Sequence, residues 1–249
     1  MAIAESTHWY NQKGEPVYTV IGKNGKERAT TLRDAREHQY APSVTTIIGV
    51  AAKPGLENWK IDQALLSALT LAMNDGESLD AFMARAKQDA KEQSIKAAER
   101  GAAIHAEVES GFSGGEPTTA YRSVRKALDD LFGIKQWIAE DSFTSPHGFG
   151  GKVDLYSPDG IVVDFKTKDG IGGKDASKLV YDEHGMQLSA YGCGLNFASP
   201  ARVSVFIDRD NPEIVLCHVW EAESHQLHLG MFMSLLRFWQ LSKDYVPAV

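Results

Sequence analysis

Apolar and polar positions along this chain change period several times, and each change predicts an element. Over Gly148 to Lys168 the sequence reads GFGGKVDLYSPDGIVVDFKTK. Its β-prone runs, Lys152 to Ser157 and Ile161 to Thr167, flank Pro158-Asp159-Gly160, which predicts a β-hairpin. A three-residue connection made of a type I turn plus a left-handed residue wants glycine last, where Gly160 stands. Ser157 then pairs with Ile161. Counting outward sets Asp154 across from Asp164, and strand alternation puts Lys166 on the same face as Asp164.

Ahead of the hairpin, His8 to Thr31 mixes aromatic and β-branched residues with turn signals at Gln12-Lys13-Gly14 and Lys23-Asn24-Gly25, predicting a small hairpin. Ser43 is placed to cap a short helix, and Lys53-Pro54-Gly55 interrupts it. Leu56, Trp59, Ile61, Leu65, Leu66, Leu69 and Met73 recur mostly at helical spacing. The simplest role of that helix is packing, as a lid over the core. Polar Asn74 to Ser78 then separates an N-terminal accessory region, 1–78, from a core, 79–249.

Leu79 to about Gly111 reads as helix again, carrying Arg85, Lys87, Lys91, Lys96 and Arg100 either as a solvated face or as DNA contacts. Gly101 inside it costs about 1 kcal/mol relative to alanine unless close packing or a kink uses it. His105 and Glu109 stand one turn apart on one helical face. An amphipathic helix over Arg122 to Phe132 leads to a strand over Ile134 to Phe143, which carries Glu140. Beyond the hairpin, Asp169 to Ser177 is a glycine-rich, lysine-bearing loop without the spacing of a nucleotide P-loop. A helix from His184 to Phe197 puts Gln187 and Tyr191 on one face. Two strands follow, one through Val203, Val205 and Ile207 and one over Ile214 to Trp220, and Ala222 to Leu241 forms an apolar helix for the core or a subunit contact.

The chain has 249 residues and a formal net charge of −7. That balance argues against a protein that simply coats nucleic acid and leaves room for a local basic groove. Cys193 and Cys217 are the only cysteines, too few for a disulfide framework or a four-thiolate metal site. No run approaches the roughly 20 apolar residues of a membrane span, and the first residues lack an apolar secretory core. The expectation is a cytoplasmic protein with reduced thiols and no membrane association.

Like charges facing each other across a hairpin destabilise it by roughly 0.2–1 kcal/mol. Asp154 opposite Asp164 therefore calls for a cation, supplied in part by Lys166 or by a divalent metal taking both carboxylates as hard oxygen ligands. The other reading is a solvated charged face. Taken alone, His105 reads as a hydrogen-bonded structural residue rather than a ligand, and Gln187 and Tyr191 as an exposed amide and a packed ring.

Four motifs resemble, in order and approximate spacing, the RecB-like branch of the PD-(D/E)XK nuclease superfamily: Gly101-x-x-x-His105, Gly151-x-x-Asp154, Asp164-Phe165-Lys166 and Gln187-x-x-x-Tyr191. The likeness covers roughly Ser94 to Phe197. Pro42-Ser43-Val44-Thr45-Thr46 and Lys53-Pro54-Gly55-Leu56 also resemble the lead-in of phage-encoded exonucleases and, more distantly, of mitochondrial genome maintenance exonucleases. The fold this implies is α/β (α+β), a restriction-endonuclease-like core with a mixed central sheet flanked by helices, plus the N-terminal, mostly helical accessory region.

The resemblance implies that His105, Asp154, Asp164 and the backbone carbonyl of Phe165 bind Mg²⁺ or Mn²⁺, the imidazole suiting Mn²⁺ at least as well as Mg²⁺. Lys166 would orient water or stabilise developing charge, and Gln187 and Tyr191 would position substrate or water. Glu109 and Glu140 are candidates for supporting or second-metal groups. Arg100, Arg122, Arg125, Lys168, Lys174 and Lys178 would contact DNA, and Trp9, Tyr10 or Trp59 would stack on bases. No iron–sulfur cluster is implied. The expected function is metal-dependent DNA exonuclease activity in phage or prophage recombination or processing, with a single-strand annealing or binding protein as a further partner. The alternatives are a structure-specific endonuclease on the same core and a catalytically silent DNA-end-binding recombination protein.

Overall fold

The computed structural model describes residues 8–52 and 54–248, so Lys53 of the expected helix break lies outside the described residues. In chain order the elements are β1 (Trp9–Tyr10), β2 (Thr19–Ile21), β3 (Glu27–Ala29), α1 (Leu32–His38), β4 (Ala41–Pro42), α2 (Val44–Ile48), α3 (Pro54–Thr70), α4 (Leu79–Phe112) and α5 (Thr119–Phe132). There follow β5 (Ile138–Ser145), β6 (Phe149–Ser157), β7 (Ile161–Lys168), α6 (Asp182–Gly194), β8 (Ala201–Asp208), β9 (Val215–Trp220) and α7 (Ser224–Lys243).

The protein is mixed α/β. Its five-stranded sheet runs β5-β6-β7-β8-β9, antiparallel throughout except for the parallel β7–β8 pair. That parallel step requires a crossover, which contains α6. The two parallel strands are the most deeply buried: Ile161 to Phe165 and Arg202 to Asp208 are buried on both faces, which suits the unbroken apolar start of β7, Ile161-Val162-Val163, whereas β8 alternates through Val203, Val205 and Ile207. The core joins Phe149, Val153, Val162, Leu188, Phe232 and Trp239 to Trp9, Val44 and Ile47 from the N-terminal segment.

Two compact units divide the chain, Met1–Ala51 with Glu107–Val249, and Ala52–Ala106. The boundary expected after residue 78 falls inside the second unit, between α3 and α4. Residues 8–51 share a unit with the sheet. The Tyr245 hydroxyl reaches the carbonyls of Ala35 and Tyr40 at 2.8 and 2.9 Å, and Ser43 caps α2 by accepting the Thr46 N–H at 3.0 Å. Trp9 and Tyr10 are only 1% and 3% exposed. Neither ring is available to stack on a base, contrary to expectation: Trp9 is part of the core, and the Tyr10 ring occupies the space that a Cβ on Gly150 would fill, 2.7 Å away.

Within the second unit, α3 forms where its spacing predicts, but its faces are inverted. Ile61, Leu65, Leu66 and Leu69 are exposed, Leu69 at 84%, whereas Ser67 is buried. The packing expected of these residues is therefore not found. Periodicity fixes which residues share an arc and leaves open which arc is covered. Trp59 on the same helix is partly exposed. The strand expected from Ile134 begins at Ile138, with Ile134 in solvent.

Candidate metal centre

The central hairpin folds on the turn that its sequence dictates. Gly160 adopts φ +89° and its N–H donates to the Ser157 carbonyl at 2.9 Å. The β6–β7 ladder pairs Ser157 with Ile161, Tyr156 with Val162 and Leu155 with Val163, and stops there. The next pair by count is Asp154 and Asp164. In place of a backbone rung, Asp154 Oδ2 accepts the Phe165 N–H at 2.8 Å, so a side chain holds the strands where they part.

The neighbouring ladder is interrupted on the same row. β5 pairs Ala139 with Leu155 and Asp141 with Val153 but skips Glu140 opposite Asp154. Glu140 sits at φ 59°, a left-handed conformation uncommon outside glycine. Its carboxylate ion-pairs with Lys152 and shares a hydrogen bond with Glu109.

Asp164 is 1% exposed. Its Oδ2 lies 2.5 Å from Lys166 Nζ yet receives no well-directed hydrogen bond. Lys166 Nζ donates to Gln187 Oε1 at 3.3 Å, and Gln187 Nε2 donates to the Tyr191 hydroxyl at 3.0 Å. The four-residue spacing on α6 thus continues the chain of contacts begun at Asp164. Tyr191 reaches this place because residue 151 is glycine: a Cβ there would stand 2.9 Å from the ring.

α4 brings the remaining groups. Ligand atoms of His105, Glu109 and Asp154 all lie within 4.8 Å of one another, and His105 is one turn before Glu109 on that continuous helix. Sequence reasoning grouped Asp164 with His105 and Asp154. The structure gathers Glu109 with His105 and Asp154, and the Lys166 ammonium stands against Asp164. Burial, then the Asp164 charge, raises the Asp154 carboxyl above its ordinary range against the opposing pull of Lys166 and the Phe165 N–H. Burial, then Glu140, raises Glu109 likewise, with Lys152 opposing. Two acids whose charge is disfavoured, beside an imidazole within ligand distance, form a donor set that a divalent cation would complete.

The expected DNA contacts differ in how far they are already engaged within the protein. Arg122 donates to the Pro117 carbonyl at 2.5 Å, and Arg125 pairs with Asp129 at 2.8 Å. Lys168 Nζ donates to the Leu179 carbonyl at 3.0 Å and lies over the Tyr181 and Phe206 rings, so it is held inside the loop rather than presented to a phosphate. Lys174 and Lys178 on the loop after β7 are exposed. Arg100 lies on α4 in the second unit. Lys152 was missed, although its position two residues before Asp154 on β6 places it on the same face.

No family model and no curated protein matches the chain. Among solved structures, one titled "Crystal structure of SSO0001" aligns at 17% identity and a TM-score of 0.30, over 50% of this chain and 58% of that one. The match thus spans little more than half of that protein's length and bears on neither fold nor function here.

Proposed function

We propose that the chain is a divalent-metal-dependent deoxyribonuclease, an exonuclease hydrolysing phosphodiester bonds, with a restriction-endonuclease-like core of the PD-(D/E)XK superfamily. The observation that carries this reading is the opening of the β6–β7 ladder after the Leu155–Val163 pair. Asp154, Asp164 and Lys166 gather at that opening, and Gln187 and Tyr191 continue the contacts. The strand order and the crossover through α6 support the core assignment.

His105, Glu109 and Asp154 would hold Mg²⁺ or Mn²⁺, and Asp164 and the Phe165 carbonyl would be further oxygen ligands. A cation there supplies Lewis acidity and a water of lowered pKa. Water oxygen adds to phosphorus while the ester oxygen departs and takes up a proton. Lys166, held between Asp164 and Gln187, orients that water and offsets negative charge developing on the phosphoryl oxygens. Tyr191, whose phenol burial and the nearby Asp154 keep protonated, fixes the Gln187 amide. Lys174 and Lys178 would meet the phosphate backbone, making affinity salt-dependent. Phage or prophage DNA processing, alongside a single-strand annealing or binding protein, is the setting this activity fits.

The test is digestion of end-labelled linear single-stranded, linear duplex and circular DNA with Mg²⁺, with Mn²⁺ and with chelator, alongside Lys166→Ala. Metal-dependent loss of linear DNA alone, absent in the variant, is the expected result. Cutting of the circle would replace the exonuclease with an endonuclease. No cleavage under any condition would remove the enzyme reading.

A further inference from the structure

Three aromatic rings stand at the edge of the acidic row. Tyr10 lies buried on Gly150 of β6. Tyr18, half-buried just ahead of β2, meets Tyr10 edge-on, with centroids 6.3 Å apart, planes at 88° and hydroxyls 3.4 Å apart. His8, exposed, lies on Tyr18 with centroids 4.7 Å apart and a tilt of 39°. Its carbonyl accepts the Ser43 N–H at 2.8 Å, so the ledge is pinned at the start of α2.

Packing locates the ledge beside the candidate centre: Tyr10 lies against Gly150 of β6, and Tyr191, which accepts from the Gln187 amide, lies against the adjacent Gly151. Partial desolvation lowers the His8 imidazole below its ordinary pKa, which favours the uncharged ring at neutral pH. Two partly solvated flat faces next to groups suited to phosphate chemistry match a base attached to the reacting phosphodiester. Every base offers a π-face, and that face is accessible where the base is unpaired.

We propose that His8 and Tyr18 form a nucleobase-stacking subsite that holds an unpaired nucleotide of a single-stranded end beside the cleaved phosphodiester. This rests on the nuclease reading. The test measures binding of a fluorescent single-stranded oligonucleotide to Lys166→Ala protein in Mg²⁺, with and without a second substitution, and of a matching oligonucleotide carrying abasic sites. Tyr18→Ala and Tyr18→Leu each weaken binding about tenfold. Tyr18→Phe and Tyr18→Trp retain it, which separates the ring from the hydroxyl contact to Tyr10. With abasic sites all five proteins bind alike.

Unchanged affinity in Tyr18→Leu overturns the subsite, as does a loss that persists undiminished on the abasic strand. The two readings fail separately. Ring-dependent binding by a wild-type protein that cleaves nothing keeps the subsite and removes the nuclease. Cleavage with unchanged affinity in the Tyr18 variants does the reverse, and absence of nucleic-acid binding removes both.

Discussion

The sheet's unit holds two clusters of charged side chains, one buried and one reaching from the core to the surface, that are completed in different ways. Around Arg202, a fully buried guanidinium on β8, the hydrogen-bond partners are serine hydroxyls, a backbone carbonyl and an imidazole. Its terminal nitrogens meet Ser189 Oγ at 2.9 Å, His228 Nδ1 at 3.1 Å, the Glu221 carbonyl at 2.7 Å and Ser224 Oγ at 2.8 Å. These contacts tie β8 to α6, to α7 and to the turn before α7. At the acidic row, Glu109, Glu140, Asp154 and Asp164 face two lysines, and the carboxyls of Glu109 and Asp154 are pushed upward. A buried charge alone therefore does not mark a site. The contrast lies between a cation surrounded by acceptors and a row of four carboxyls that meets two ammonium groups.

Lys166→Ala gives the largest expected effect, about a thousandfold loss of turnover with DNA affinity retained, the scale of removing one preorganised electrostatic donor. Single-turnover cleavage beside equilibrium binding checks it, and parallel losses in both would make Lys166 a binding residue. Arg202→Ala is expected to act oppositely. It strips the guanidinium contacts from the buried Ser189, His228 and Ser224 side chains and opens a void, costing about 3 kcal/mol of stability, while activity per folded molecule stays near wild type. Urea unfolding paired with active-site titration measures both quantities. An activity loss without destabilisation would move Arg202 into the catalytic machinery.

Asp154→Asn comes next. It should weaken Mn²⁺ binding at least tenfold, read by calorimetry, because one ligand and one negative charge are removed. Equal affinity in variant and wild type would leave Asp154 out of the centre.

The sequence made one side of this comparison legible and hid the other. Pro158-Asp159-Gly160 fixes a loop length, loop length fixes register, and register places Asp154 and Asp164 together. Four-residue spacing likewise put Gln187 and Tyr191 on one face of α6. The skipped rung at Glu140 was not legible, because nothing in Ala139-Glu140-Asp141 requires a positive φ. The grouping of Glu109 with Asp154 depends on where α4 meets the sheet. Arg202 reads locally as an ordinary strand residue, and its partners come from positions 13 to 26 residues away. The inverted α3 has the same cause: local spacing specifies a helix, and tertiary context chooses its buried side.

The two clusters also give stability opposite dependences on pH. Glu109 and Asp154 are held above their ordinary carboxylate values, so between about pH 4 and those raised values the folded state binds more protons than the unfolded state. Metal-free protein therefore loses stability as pH rises through that window. Asp154→Asn should flatten this limb, as should saturating Mn²⁺. His225 and His228 are held below their ordinary value, by burial and then by Arg202. Asp182, whose Oδ1 lies 3.9 Å from His228 Nε2, opposes the shift at His228. Below about pH 6.5 the unfolded chain takes up protons that these folded imidazoles refuse, so stability falls as pH drops. The smallest effect follows. His228→Gln keeps an acceptor for Arg202 and removes one titrating ring, and it should flatten the acidic limb alone. Melting temperatures from pH 5 to 8 in chelator, for wild type, Asp154→Asn and His228→Gln, should separate the limbs. An acidic limb unchanged in His228→Gln would mean that His228 is not among the groups that set it.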